Sequence, residues 1–120
     1  MKIHQPVFIK DKPGGKISPK VVEKDWGNEV WLHNDENYCM KVLNIEEGEE
    51  LRPHLHISKE ESWYVAEGEA IVVFSKDRVD YQLVLHEGES FHIPPGLIHS
   101  LTPINGSCKI IEASTQHFDH

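Results

Sequence analysis

Short runs of apolar and β-branched residues recur along the whole chain, and between them stand turn residues rather than helical stretches. The runs read VFIK, NEVWLH, YCMKVLNI, SWYVAE, AIVVFS, VDYQLVL, SFHI and SCKIIEAS. Val, Ile, Tyr, Phe and Trp fit a pleated, half-buried surface, so each run is expected to be a strand. HNDEN, EEGEE, SKDR, HEGE, PPG and NG fall between or beside them and supply the Gly, Pro, Asn and Asp that reversals need. No run sustains a helical period, which leaves no element for a parallel crossover. An all-β fold closed on itself, a sandwich or barrel, follows.

The chain has 120 residues with 38% hydrophobic content, enough for one core and too little for two. Residues 1–20 carry Pro6, Pro13, Gly14, Gly15 and Pro19. They are expected to form an arm that adds an edge strand or reaches a second subunit, with a single domain over 21–120 and a homodimer as the assembly. Acidic residues outnumber basic ones 20 to 12, for a net charge of -8. A phosphate backbone needs the opposite sign, so nucleic acid is excluded as the expected partner and a small molecule is favoured. The opening residues lack the apolar centre of a signal peptide, and no stretch approaches the roughly 20 apolar residues of a membrane span. The expectation is a cytoplasmic protein with no membrane partner, in which Cys39 and Cys108 are free buried thiols.

Within GEELRPHLHISKEESWYVAEG, His54 and His56 are separated by one residue. On an extended strand, alternate side chains share a face, so both imidazoles point the same way and can share one object, a metal ion. Two spacings then stand out. Gly48 is followed after five residues by His54 and His56, after four more by Glu61, and after six more by Gly68; Gly88 is followed after five by Pro94 and Gly96, and after two more by His99.

These two clusters resemble the paired motifs of the cupin superfamily. The resemblance implies a double-stranded β-helix, or jelly-roll barrel, and a metal held by His54, His56, Glu61 and His99. The family pattern commonly closes with an Asn beyond the last histidine, where this chain has Pro103. Three imidazoles and a carboxylate suit one divalent transition ion, zinc first, with iron, manganese or nickel as alternatives, and leave positions open to water or substrate. Glu60 competes with Glu61 for the carboxylate role, and Glu61 is the one that keeps the spacing to Gly68. Glu60 is then left exposed, or as a proton carrier.

A closer resemblance runs over about residues 21–115. VEKDWGNEVWL, YCMKVLNIEEGEEL, ESWYVAEGEAIV, GESFHIPPGLIHSL and IIEAS are similar to the type II mannose-6-phosphate isomerases and to the cupin domain of mannose-1-phosphate guanylyltransferases. That similarity implies a sugar-phosphate ligand and metal-dependent aldose to ketose isomerisation. Relatives commonly have an HHHRSEHW-like segment and an Arg after the last metal histidine; here the chain reads HISKEESW and has Ser100. Lys41, Lys59 and Arg52 remain as cations for a phosphate. Trp63 shares parity with Glu61, which makes it a pocket wall, either a sugar-stacking platform or simply core, whereas Trp26 and Trp31 are expected to pack. The candidate catalytic groups are Glu60, Lys41 and His92; the candidate substrate contacts are Trp63, Lys41, Arg52 and Ser100. His4, His33, His86, His117 and His120 are expected to be ordinary histidines. Two other functions fit the same ligand set, a small iron-dependent dioxygenase and a non-catalytic metal- or sugar-binding module.

Overall fold

The computed structural model describes residues 14–118 together with the backbone of two short strands, β1 (Phe8–Ile9) and β2 (Lys12–Pro13), which pair with each other. Residues 1–7, 10 and 11 of the arm expected over residues 1–20, His4 among them, lie outside the described residues, as does His120. Every further element is a strand: β3 (Lys20–Lys24), β4 (Gly27–Asn34), β5 (Cys39–Ile45), β6 (Leu51–His54), β7 (Glu61–Lys76), β8 (Val79–Leu85), β9 (Ser90–Ile93) and β10 (Ile98–Ser114). Among the described residues no helix is long and apolar enough to cross a membrane.

Two long strands organise the barrel. β7 and β10 pair antiparallel along their whole lengths, with Glu61 opposite Ser114 at one end and Ser75 opposite Ile98 at the other. Both change direction midway. In β7 the bend is at Gly68, with φ 83°, and in β10 it is at Asn105 and Gly106, with φ 58° and 127°, where the register between the strands also shifts. Such a bulge bends a strand and lets it pass from one sheet into another. The first half of β7 and the second half of β10 therefore belong to a sheet with β3, β4, β5 and β9; the other halves belong to one with β6 and β8. This is the jelly-roll barrel expected for a cupin.

Alternation sets which side chains enter the barrel. In β5, Cys39, Lys41, Leu43 and Ile45 are buried and the residues between them are only partly so. In β7, Glu61, Trp63 and Val65 are buried while Ser62 and Tyr64 face out. The apolar core of Leu43, Ile45, Leu51, Trp63, Val65, Ala70, Val72, Leu85, Ile93, Leu101, Cys108 and Ile110 fills one part of the interior. Trp26 packs against it. Both cysteines are buried and free, as expected for structural thiols.

The turn joining β3 to β4 requires its glycine. Gly27 has φ 145°, and a Cβ there would lie 1.9 Å from the backbone oxygen of Asn44. Neither the neighbouring strand nor the turn can yield, because Gly27 is paired with Ile45 and Glu46 N–H donates to Trp26 O at 2.9 Å. Gly27→Ala is expected to destabilise the fold by about 3 kcal/mol or more, a strained backbone combined with a backbone clash. A urea unfolding midpoint within error of wild type would contradict this.

Candidate metal centre

The centre is assembled from both sheets. His54 ends β6 and pairs directly with His99 near the start of β10. Glu61 opens β7 in the other sheet, paired with Ser114 and Ile93. His56 follows in the loop after β6, held where its backbone oxygen accepts from Gly96 N–H at 2.8 Å. That bond ties the His54-x-His56 segment to the Pro94–Gly96 turn, so the two sequence motifs meet in space.

The three imidazoles lie against one another. The ring centroids of His54 and His99 are 4.2 Å apart, those of His54 and His56 5.2 Å, and those of His56 and His99 6.3 Å. His99 Nε2 is 3.4 Å from Glu61 Oε1, and His56 Nε2 is 4.0 Å from Glu61 Oε2. On the other side of two of these rings, His54 Nδ1 is bonded to Arg52 O and His99 Nδ1 to Leu97 O, each at 2.8 Å. A carbonyl accepts only, so both Nδ1 atoms carry a proton and it is Nε2 of each ring that is turned away from the backbone, the orientation of a metal-binding histidine. Burial lowers the pKa of His54, and burial together with the Lys59 ammonium lowers that of His56 to about 4. His54 and His56 are therefore neutral at physiological pH.

Glu61 is 2% exposed, yet neither of its carboxylate oxygens has a hydrogen-bond partner among the described residues, and neither does His99 Nε2. Buried polar atoms are normally satisfied, so Glu61 Oε1 and His99 Nε2, which face each other at 3.4 Å without a hydrogen bond, fit a shared partner, while Glu61 Oε2 is in contact with an ammonium. The donor chemistry of three imidazoles with a carboxylate fits a divalent transition ion. Even so, among the described residues no three His, Cys, Asp or Glu side chains already stand in a coordination shell.

What occupies the gap is Lys59. Only 8% exposed, its ammonium lies 3.2 Å from Glu61 Oε2, 3.4 Å from Glu112 Oε2 and 3.3 Å from His117 Nδ1. Burial pushes the Glu61 carboxyl up, but contact with His99 and with this ammonium overcomes it and holds the group below the usual carboxylate range. Glu112 goes the other way, raised by its burial and then by the charge of Glu61. Its Oε1 accepts from Trp63 Nε1 at 3.1 Å across the β7–β10 pair. Lys59 and Glu112 were not among the residues that motif spacing marks as metal ligands or catalytic groups. Glu112 does carry a signal: it shares strand parity with Cys108 and Ile110, which puts a charge on the inward face. Lys59 sits in SKEES, a run with no alternation to betray its burial.

The other candidates divide between interior and surface. Trp63 and Lys41 face the interior, 1% and 2% exposed. Lys41 lies 3.5 Å from Glu29 Oε1 and 4.0 Å above the Trp31 ring, so Trp31 shares in a charged interior rather than an apolar one. Glu60 and His92 stand outside the barrel, more than half exposed, in an ion pair at 3.4 Å with each other. Alternation explains it, because each neighbours an inward residue, Glu61 or Ile93. Arg52 is exposed and paired with Asp25 at 2.8 Å. Ser100 is buried in β10 beside His99. A cavity of about 190 Å³ is lined by His54, His56, Lys41, Lys59, Trp63 and Glu112, with Lys24, Arg52 and Trp26 also on its wall. His56, Lys59 and His117 also line a wider cleft of about 630 Å³, bordered by Leu55, Ile57 and Phe118. Ser100 lines neither space.

Residues 15–118 match the family model described as mannose-6-phosphate isomerase C-terminal. The chain belongs to this family. A mannose-1-phosphate guanylyltransferase of Sinorhizobium fredii is 33% identical over 86 residues, 72% of this chain and 16% of that protein. The mannose-1-phosphate guanylyltransferase RfbM of Salmonella typhimurium is 32% identical over 92 residues, 76% of this chain and 18% of that protein. This member of the mannose-6-phosphate isomerase C-terminal family thus spans less than a fifth of those relatives. Its backbone is similar to an RmlC-like cupin from Shewanella frigidimarina, with TM-score 0.70, 23% identity, and coverage of 84% of this chain and 86% of that one. The cupin fold expected from the motifs is the fold of the chain.

Proposed function

We propose that the protein is a metal-dependent sugar-phosphate isomerase acting on mannose 6-phosphate or a close analogue. The observation that carries this reading is the convergence of His54, His56, His99 and Glu61, of which His54 and His56 also line a cavity with two buried ammonium groups and a tryptophan. When bound, the ion supplies Lewis acidity to polarise a sugar carbonyl. The chain supplies the rest. Trp63 closes one wall and keeps Glu112 oriented. Glu112, a carboxyl on the cavity wall whose pKa burial raises, is assigned the proton transfer between adjacent sugar carbons. Lys41, and Arg52 at the outer wall, offer positive charge to a phosphate. Membership of the family and the guanylyltransferase relatives support the sugar-phosphate class.

The test is interconversion of mannose 6-phosphate and fructose 6-phosphate by zinc- or manganese-loaded protein. Turnover is expected, with complete loss on chelation and recovery when metal is returned. Lys41→Met is expected to raise KM about tenfold or more, since a charged hydrogen bond to phosphate contributes on the order of 1.5–3 kcal/mol. Sugar-phosphate binding by calorimetry without turnover would support a binding module in place of an enzyme. Neither binding nor turnover would end the sugar-phosphate reading.

A further inference from the structure

Lys59 occupies an unusual place for a lysine. It is almost wholly buried, it belongs to the loop between β6 and β7 that leads into Glu61, and its ammonium contacts the same Glu61 carboxylate that the metal-centre reading assigns to the ion. A carboxylate buried without a cation is strongly disfavoured, so the metal-free barrel needs a positive charge at this spot. Lys59 provides it. Its second carboxylate partner, Glu112 Oε2 at 3.4 Å, is nearly as close as Glu61 Oε2 at 3.2 Å. The ammonium can therefore give up one partner and keep a buried counter-charge.

We propose that Lys59 is an internal competitor for the metal, holding Glu61 in the metal-free protein and released onto Glu112 when a divalent ion takes the carboxylate. This rests on the metal-centre reading and adds a role that motif spacing does not assign. Lys59 lowers metal affinity and, by the same contact, keeps the empty barrel folded. The ion must displace a charge rather than enter a vacant shell, which accounts for four candidate ligands that are adjacent yet not in a coordination shell.

The experiment is zinc titration against a competing chelator on wild type, Lys59→Met, Lys59→Gln and Lys41→Met. Lys41 is the control because it is a second buried ammonium on the same cavity, bound to Glu29 instead of Glu61. Removing Lys59 is expected to tighten zinc binding at least about tenfold, as the ion no longer displaces a paired cation, while Lys41→Met changes affinity by less than about threefold. In chelator, Lys59→Met is expected to unfold at a lower temperature than wild type, and to gain more from added zinc than wild type does. Lys59→Gln supplies the same comparison where the methionine variant does not fold. Unchanged or weaker zinc binding in the Lys59 variants overturns the exchange alone, and equal tightening by Lys41→Met reduces it to a general field effect and overturns it as well. Absence of zinc binding in every protein overturns the metal centre itself.

Discussion

Saturation with a divalent transition ion is expected to raise the unfolding midpoint by about 10 °C or more, and His99→Ala is expected to erase that shift. A ligand present at about 100 times its Kd stabilises the native state by about 2.7 kcal/mol. For a domain of this size each kcal/mol is worth roughly 4–8 °C. The structure gives a reason for the ion to bind only the folded chain: His54 and His99 come from one sheet and Glu61 from the other, and nothing short of the closed barrel brings them together. His99 is central because its Nε2 is buried, orphaned and 3.4 Å from Glu61. Loss of hydrogen-bond partners behind a metal ligand commonly costs about 10–100-fold in affinity, and loss of the ligand itself should exceed that. His99→Ala also opens a cavity, so the shift is read within each protein, with and without metal, by scanning calorimetry alongside metal analysis. Glu60→Gln serves as the partner measurement. Glu60 is exposed and paired with His92, so this variant should keep the whole shift. A full shift in His99→Ala, or its loss in Glu60→Gln, would show that the carboxylate and imidazole ligands have been misassigned.

The pattern of short β-branched runs is enough to anticipate an all-β barrel, because alternation reports directly which side of a sheet each residue faces. It misleads at the bends. SWYVAE and AIVVFS read as two strands separated by Gly68 and Glu69, yet they are the two halves of β7, and Gly68 is the hinge on which one strand moves between sheets. The same happens in β10, where HSLTPI carries Pro103 and polar residues that obscure a strand continuous with SCKIIEAS. β6, LRPH, is nearly invisible because it is short and contains a proline, and it is held in place by pairing with β10 alone. For the site, local spacing is informative and distance along the chain is not. Motif intervals brought His54, His56, Glu61 and His99 forward, and these do lie together. Parity alone would have placed Glu60 and His92 outside. Lys59, read from the sequence as a cation for a phosphate, shows its place beside Glu61 only when that residue and Glu112, far apart in sequence, arrive on either side of it.

Trp63 joins the apolar core to this charged interior, and Trp63→Ala is expected to be the most damaging single substitution in the barrel. The side chain is 1% exposed, packs among the core residues and lies edge-on to His99 with ring centroids 5.4 Å apart. Deleting a buried Trp side chain typically costs about 3–5 kcal/mol. Here the indole also donates to Glu112, so truncation removes a partner from a buried carboxylate, with a further penalty of about 1–3 kcal/mol. Since the total stability of a domain is only about 5–15 kcal/mol, Trp63→Ala should leave little folded protein at 37 °C. Trp63→Phe separates the two contributions, because it keeps an aromatic body against His99 and removes the N–H. It is expected to fold, to lose roughly 1–3 kcal/mol by urea denaturation, and to push the Glu112 pKa further up, as the carboxylate would lose a donor that favours its charged form. Stability equal to wild type in Trp63→Phe would show that the Trp63–Glu112 bond contributes nothing, and would leave Trp63 as a packing residue only.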